Sequence, residues 1–213
     1  MELRIESIVG SSSLAIICFF LLVFAMVPFF IIFERKNPRP RDLVTIAVMS
    51  ALGALGRALF AAVPSFKPTS AIVIITGMQF GPLAGFMTGT LSALASNMFL
   101  GQGPWTVWQM FAWGMIGFFS GILEKKGFFK KRIFLYLYGA VTGVGFGWFL
   151  NLQYLTGYSG FFTFSGFIFS CISSLSMDIT HGISTVIFLA VLEKPWGKKL
   201  HRIKIKYGIM ETL

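Results

Sequence analysis

Three ionisable residues fall inside long apolar stretches of this chain: Arg57, Asp178 and His181. A charged side chain at membrane depth is costly. Such residues therefore face a protein interior or a water-filled cavity, where they pair, relay protons or meet a ligand. Asp178 and His181 are spaced i,i+3, which puts them on one helix face. They read as an intramembrane polar network, with Asp178 paired to Arg57 and a hydrogen-bonded His181 pinning the last helix to the second. A direct role in ligand contact or gating is the sharper alternative. Metal binding does not follow, because two ligands on one face lack the third and fourth that zinc takes. Cys18 and Cys171 sit singly in apolar runs and offer neither a CxxC site nor a disulfide framework.

Catalytic readings fail on geometry. Gly157-Tyr158-Ser159-Gly160 has the GxSG form of an intramembrane serine protease, but a serine nucleophile needs a base within hydrogen-bond reach. His181 lies on the same span, roughly 33 Å further along it. Gly143, Gly145 and Gly147 form GxGxG within a span, where glycine lets helices approach closely. The sequence contains no Walker A segment and no HExxH. No catalytic residue and no cofactor are assigned, and the chain is expected not to be an enzyme.

A binding site is the better use of the polar residues. One side of the membrane collects Phe66 and Lys67 in the segment Pro64–Pro68, then Gln102 and Trp105, then Asn151, Tyr154 and Tyr158. Asn97, Trp108, Gln109 and Trp113 continue this set inward. Interfacial anchoring accounts in part for Trp105 and Tyr158, since such rings sit at headgroup level. It accounts less well for the amides, which suit a mostly apolar pocket with a few orienting polar groups. A second surface is marked by Ala47, Ala51, Ala54 and Ala58 at helical spacing. Small residues so placed make a flat helix face, used either for internal packing or for docking another membrane protein.

The elements that must hold these residues are membrane helices. Of 213 residues, 55% are hydrophobic and only 12% charged, where soluble domains carry about 25% charged residues. Mean hydropathy is +0.77. The net charge of +10 comes from basic residues clustered between apolar runs, a pattern of membrane topology rather than nucleic-acid binding. The apolar runs are Ser13–Phe33, Leu43–Val63, Thr69–Leu100, Pro104–Leu123, Ile133–Leu155 and Phe161–Leu192. As one helix, Thr69–Leu100 would extend about 48 Å, too long for one crossing of a ~30 Å core. Gly81-Pro82 supplies a break.

With that break, the basic clusters at Arg35–Arg41, Lys125–Arg132 and Lys194–Lys206 share the cytoplasmic side. Seven helical segments follow, with the N-terminus outside and the C-terminus inside. Residues 1–42 form a transmembrane helix and basic linker, 43–193 the membrane core, and 194–213 a basic tail expected along the inner membrane surface.

Several blocks carry a family resemblance. They are Gly56-Arg57-Ala58-Leu59-Phe60, Lys67-Pro68, Gly77-Met78-Gln79-Phe80-Gly81-Pro82, Ser96-Asn97-Met98-Phe99 and Gly101-Gln102-Gly103-Pro104-Trp105-Thr106, with Trp108-Gln109-Met110 after them. Together with the alanine-spaced helix, they resemble the substrate-binding S component of an energy-coupling factor (ECF) vitamin transporter. The likeness is nearest to S components assigned to cobalamin. The resemblance implies an all-α, six-helix core, here with one extra N-terminal helix, in a bacterial plasma membrane. It implies a vitamin bound from outside, a transmembrane coupling subunit (T component) docked through Ala47 and Ala51, and two cytoplasmic ATPases. Cobalamin is then the transported substrate, with pantothenate or another water-soluble vitamin behind it. A stand-alone ion-coupled carrier built on Arg57, Asp178 and His181 is the alternative from a different class.

Overall fold

The computed structural model describes residues 2–156 and 163–210, with side chains described from residue 13 onward. Its helices are α1 (Glu2–Arg35), α2 (Pro40–Leu59), α3 (Thr69–Phe80), α4 (Pro82–Leu100), α5 (Trp105–Lys125), α6 (Arg132–Tyr154) and α7 (Phe164–Tyr207). A short 3-10 turn, Phe128–Lys130, joins α5 to α6. The expected all-helical architecture of a six-helix core with an added N-terminal helix is what forms. Six of the seven helices are long and apolar enough to cross a membrane, and α3 is the short one.

The break between α3 and α4 falls at Gly81, whose φ of 98° is a conformation that glycine adopts without a Cβ clash. Pro82 then takes the first position of α4, where its missing N–H costs nothing. The tightest helix pair is α4 with α5. A Cβ on Gly85 would strike the Gly117 carbonyl, and one on Gly117 would strike the Gly85 carbonyl. Gly89 sits equally close to the Trp113 backbone. Side-chain-free faces thus bring the two backbones together, as membrane helices need when lipid offers no hydrophobic drive. Buried hydroxyls tie this pair together and to its neighbours: Thr90 of α4 donates to the Met110 carbonyl of α5 at 3.2 Å, Ser120 of α5 to the Ile74 carbonyl of α3 at 3.1 Å, and Ser92 of α4 to the Ser50 carbonyl of α2 at 3.2 Å.

The basic segments gather at one end of the bundle. Lys204 donates to the Gln79 carbonyl at 2.8 Å, and Arg132 lies 3.7 Å from Glu193. Asp42 is fully buried there, accepting from the N–H of Arg39 at 2.9 Å and of Met210 at 2.7 Å. The extra helix α1 lies against α4 and α5 near this end. Phe29 stacks on Phe86 at 4.0 Å and meets Phe118 edge-on at 5.1 Å. Met26 and Phe33 are buried beside Ile209 and Met210.

Two elements depart from the sequence reading. Residues 194–207 do not form a separate tail. They continue α7, with Pro195 inside the helix and Trp196 and Leu200 packed on the core. The segment between α2 and α3 also folds back into the bundle. The Lys67 N–H donates to Ser184 Oγ at 2.8 Å, and Ser184 Oγ donates back to the Lys67 carbonyl at 3.0 Å. Ser184 lies nine residues before Glu193, about 14 Å above the basic end. Phe66 is wedged between Phe60 and Phe188, 6.0 and 5.4 Å away. In consequence α3, about 18 Å long, starts in the middle of the molecule, where Thr69 Oγ1 donates to the Gly53 carbonyl at 3.0 Å.

Candidate functional site

A continuous chain of polar side chains links the far ends of α2, α4 and α5 to the start of α3. Asn97, 1% exposed, is its hub. Its Nδ2 donates to Thr106 Oγ1 and Gln109 Oε1, both at 2.9 Å, while its Oδ1 accepts from Arg57 Nη1 at 2.5 Å. All the capacities that orient this amide are used, so its direction is fixed by its partners. Arg57 Nη1 also donates to Ser96 Oγ at 2.7 Å, and Thr106 Oγ1 passes its hydrogen to Gln102 Oε1 at 2.9 Å. The guanidinium lies over the Trp113 ring, 5.1 Å from its centroid, a cation–π arrangement that desolvation strengthens.

Trp113 carries the chain onward. Its indole N–H donates to Ser70 Oγ at 2.9 Å, and Ser70 Oγ lies 2.9 Å from His181 Nε2. Phe146 of α6 closes the corner, 4.5 Å from the Trp113 ring and 5.0 Å from the imidazole. Six helices, α2 to α7, therefore converge on Arg57, Ser70 and Trp113.

Asp178 belongs to a different cluster. The expected pairing of Asp178 with Arg57 does not form: the carboxylate accepts from Ser174 Oγ at 2.7 Å and lies against Gly147 of α6. Asn151 Nδ2 donates to the same Ser174 Oγ at 2.9 Å. Among the described residues no ion pair joins Asp178 to a cation. The physical reason is reach, because Arg57 is already held by acceptors on α4, while a hydroxyl on its own helix lies one turn from Asp178. His181 does pin α7, through Ser70 of α3 rather than through α2.

The other residues expected at the site are divided. Lys67 stands near Arg57. Burial, and then the repulsion of that guanidinium, lower the Lys67 ammonium below the usual lysine range. Gln102, Asn97 and Gln109 join the Arg57 network, whereas Asn151 joins Asp178. Trp105 folds over Gly103, and Trp108 is buried against Phe149 at 5.2 Å. Phe66 packs towards Phe188, and Tyr154 points outward, 56% exposed. Tyr158 lies outside the described residues, as does the whole Gly157–Gly160 segment.

On α2, Ala47 and Ala51 are exposed and Ala58 is half-buried, but Ala54 is buried in the core and presents nothing to a partner. No group of three metal-ligating side chains occurs among the described residues.

The sequence reading missed Ser70, Ser96, Thr106, Phe146 and Ser174 as members of these clusters, whereas Trp113, which follows Trp105, Trp108 and Gln109 at helical spacing, was part of the inward-running set. The legible signal was the density of Ser and Thr in otherwise apolar spans, since a buried hydroxyl must find an acceptor.

Comparison with known proteins adds the following. A family described as "ECF transporter, substrate-specific component" matches residues 41–193. A UPF0397 protein of Aliivibrio salmonicida is 30% identical over 126 residues, covering 52% of this chain and 68% of that protein. A UPF0397 protein of Aliivibrio fischeri is 27% identical over 132 residues, covering 54% of this chain and 72% of that one. One from Vibrio atlanticus is 28% identical over 126 residues, covering 52% and 69% respectively. No solved structure matches.

Proposed function

The chain belongs to the ECF transporter substrate-specific component family, and on that premise we propose that it captures a small water-soluble vitamin from outside the cell. It hands the vitamin to a transmembrane coupling subunit whose cycle is driven by two ATPases, and does no covalent chemistry itself. The observation that carries this reading is the family match over residues 41–193, most of the chain and all of α2 to α6. The polar chain from exposed Gln102 through buried Asn97 and Arg57 to buried His181 supports it. Orienting amides, an aromatic wall and one guanidinium suit recognition of a small polar molecule.

The gathered basic end is cytoplasmic on this reading, by the positive-inside rule. The Arg57 network then opens towards the outside, with the N-terminus of α1 also outside and the membrane that of a bacterial cell. Cobalamin is the substrate to test first, on the sequence blocks that resemble its S components. Pantothenate and other water-soluble vitamins follow. The exposed face of α2 at Ala47 and Ala51, flanked by exposed Val44, Val48 and Leu55, supports docking of the coupling subunit there.

Assembly provides the test. Tagged chain co-expressed with a coupling subunit and its ATPases should purify as a complex. Ala47→Trp and Ala51→Trp should lose that complex while remaining folded by thermal unfolding in detergent. Normal assembly of both variants would overturn the docking face.

A further inference from the structure

Resting on the vitamin-capturing reading, we propose that Arg57, Lys67 and the N-terminus of α3 form a subsite for an oxyanion of the bound substrate, a carboxylate or a phosphate-type group.

The charges are out of balance at this place. Arg57 is 9% exposed and commits only Nη1 to the protein, through Ser96 and Asn97. Among the described residues its Nε and Nη2 donors make no hydrogen bond. A guanidinium presents a planar fork of donors that matches the two oxygens of a carboxylate or phosphate. Lys67 adds a second cation whose side chain meets no carboxylate among the described residues. Burial and Arg57 both act against its charged form, the penalty that a bound anion would relieve.

Among the residues with described side chains, no carboxylate supplies the missing charge. Apart from Asp178, every acidic residue lies on α1, at the basic end or in the C-terminal residues. Asp178 itself is held by Ser174 on the α6 side of α7. A buried, uncompensated charge is strongly destabilising, so an anionic ligand would supply here the counter-charge that no described side chain provides.

The start of α3 adds to the same field. The helix is twelve residues long, its first residue is fully buried, and no side chain caps it. Its positive dipole end and unsatisfied first-turn N–H groups favour an anion. Arg57 is adjacent to it: Gly56 packs on the Pro68 ring that precedes α3, and the Trp113 beneath the guanidinium donates to Ser70. The Ser184 clamp on both backbone groups of Lys67 holds the segment in place.

Two arms, both on the detergent-purified full chain, test the subsite and the vitamin reading separately. The first needs no vitamin. Inorganic phosphate, titrated against chloride at equal ionic strength, should raise the Tm of the wild type along a saturating curve. Arg57→Gln and Lys67→Gln should show only the general salt effect. Among the described residues the bonds of Lys67 are made by its backbone alone, so Lys67→Gln keeps the test valid if Arg57→Gln folds poorly. Equal saturating shifts in all three proteins would overturn the proposal.

The second arm measures binding of pantothenate against its neutral alcohol panthenol, and of cobalamin against cobinamide, which lacks the phosphodiester. The vitamin that binds should lose about 10- to 100-fold in affinity on removal of its anionic group. Arg57→Gln should impose a similar loss, and Arg57→Lys should recover part of it. The pair that responds identifies the source, carboxylate or phosphodiester. A vitamin bound equally well by Arg57→Gln and in its neutral form would sink the subsite and leave the vitamin reading intact. Phosphate saturation through Arg57 with no vitamin bound would do the reverse.

Discussion

The block α2–α5 and the hairpin α6–α7 solve the same problem of placing polar groups in an apolar bundle, and they solve it differently. In the most apolar windows of α4 and α5, 61% and 56% of residues are buried, against 22% and 33% in α6 and α7. The block fixes its polar groups by many cross-helix bonds centred on Asn97, and it presents a cation with donors to spare. The hairpin satisfies its own acid locally through Ser174 and Asn151, and meets the block mainly where Phe146, His181 and Ser184 touch Trp113, Ser70 and Lys67. A rigid, charged wall faces a thinner, self-contained one. The larger exposed share of the hairpin is apolar surface of the kind that faces lipid, so fewer of its residues are held by the bundle.

The largest effect that would break this contrast lies in the block. Gly117→Leu should cost about 3 kcal/mol or more or abolish folding, because Gly85 leaves no room. Gly145→Leu in the hairpin, where a Cβ meets nothing, should leave the Tm in detergent nearly unchanged. Equal losses would erase the distinction.

Next comes Asn97→Leu, expected to cost about 1–3 kcal/mol by stranding Arg57 and Gln109, with a partial return in the Arg57→Leu/Asn97→Leu double variant. Ser174→Ala follows at about 1 kcal/mol, read by the same unfolding measurement. It removes one bond to Asp178 and one from Asn151, both near the surface of the hairpin.

The smallest expected quantity is a coupling. Arg57→Leu and Asp178→Leu should add within about 0.5 kcal/mol in a double-mutant cycle, since the two groups serve different clusters. A coupling of several kcal/mol would restore the ion pair that their sequence positions suggest.

That pair shows where sequence reasoning stopped. Two opposite charges at membrane depth make pairing the economical inference, yet side-chain reach decides, and reach is invisible without helix rotation. Conversely, Gly81-Pro82 was decisive, because φ restriction and a missing N–H act locally whatever the fold. The cluster Lys194–Lys206 misled for the opposite reason. Its charges among spaced apolar residues suggest a tail along the membrane surface, while Trp196 and Leu200 at helical spacing carry the packing that extends α7. The density of hydroxyls was legible, but the partner of each was not. Thr76 bonds the carbonyl of Ile72 on its own helix, and Ser70 links α3 to α5 and α7, yet both are hydroxyls of the same apolar run.

The account rests most directly on the claim that this chain captures a vitamin and borrows its transport energy. Uptake of labelled cobalamin would therefore be measured in liposomes containing the chain with its co-purifying subunits, with and without internal ATP. Pantothenate, folate and riboflavin would serve as competitors. Accumulation that needs internal ATP and the partner subunits, and yields to one vitamin in excess, is the predicted result. Transport of any of these vitamins by the isolated chain without ATP would contradict it.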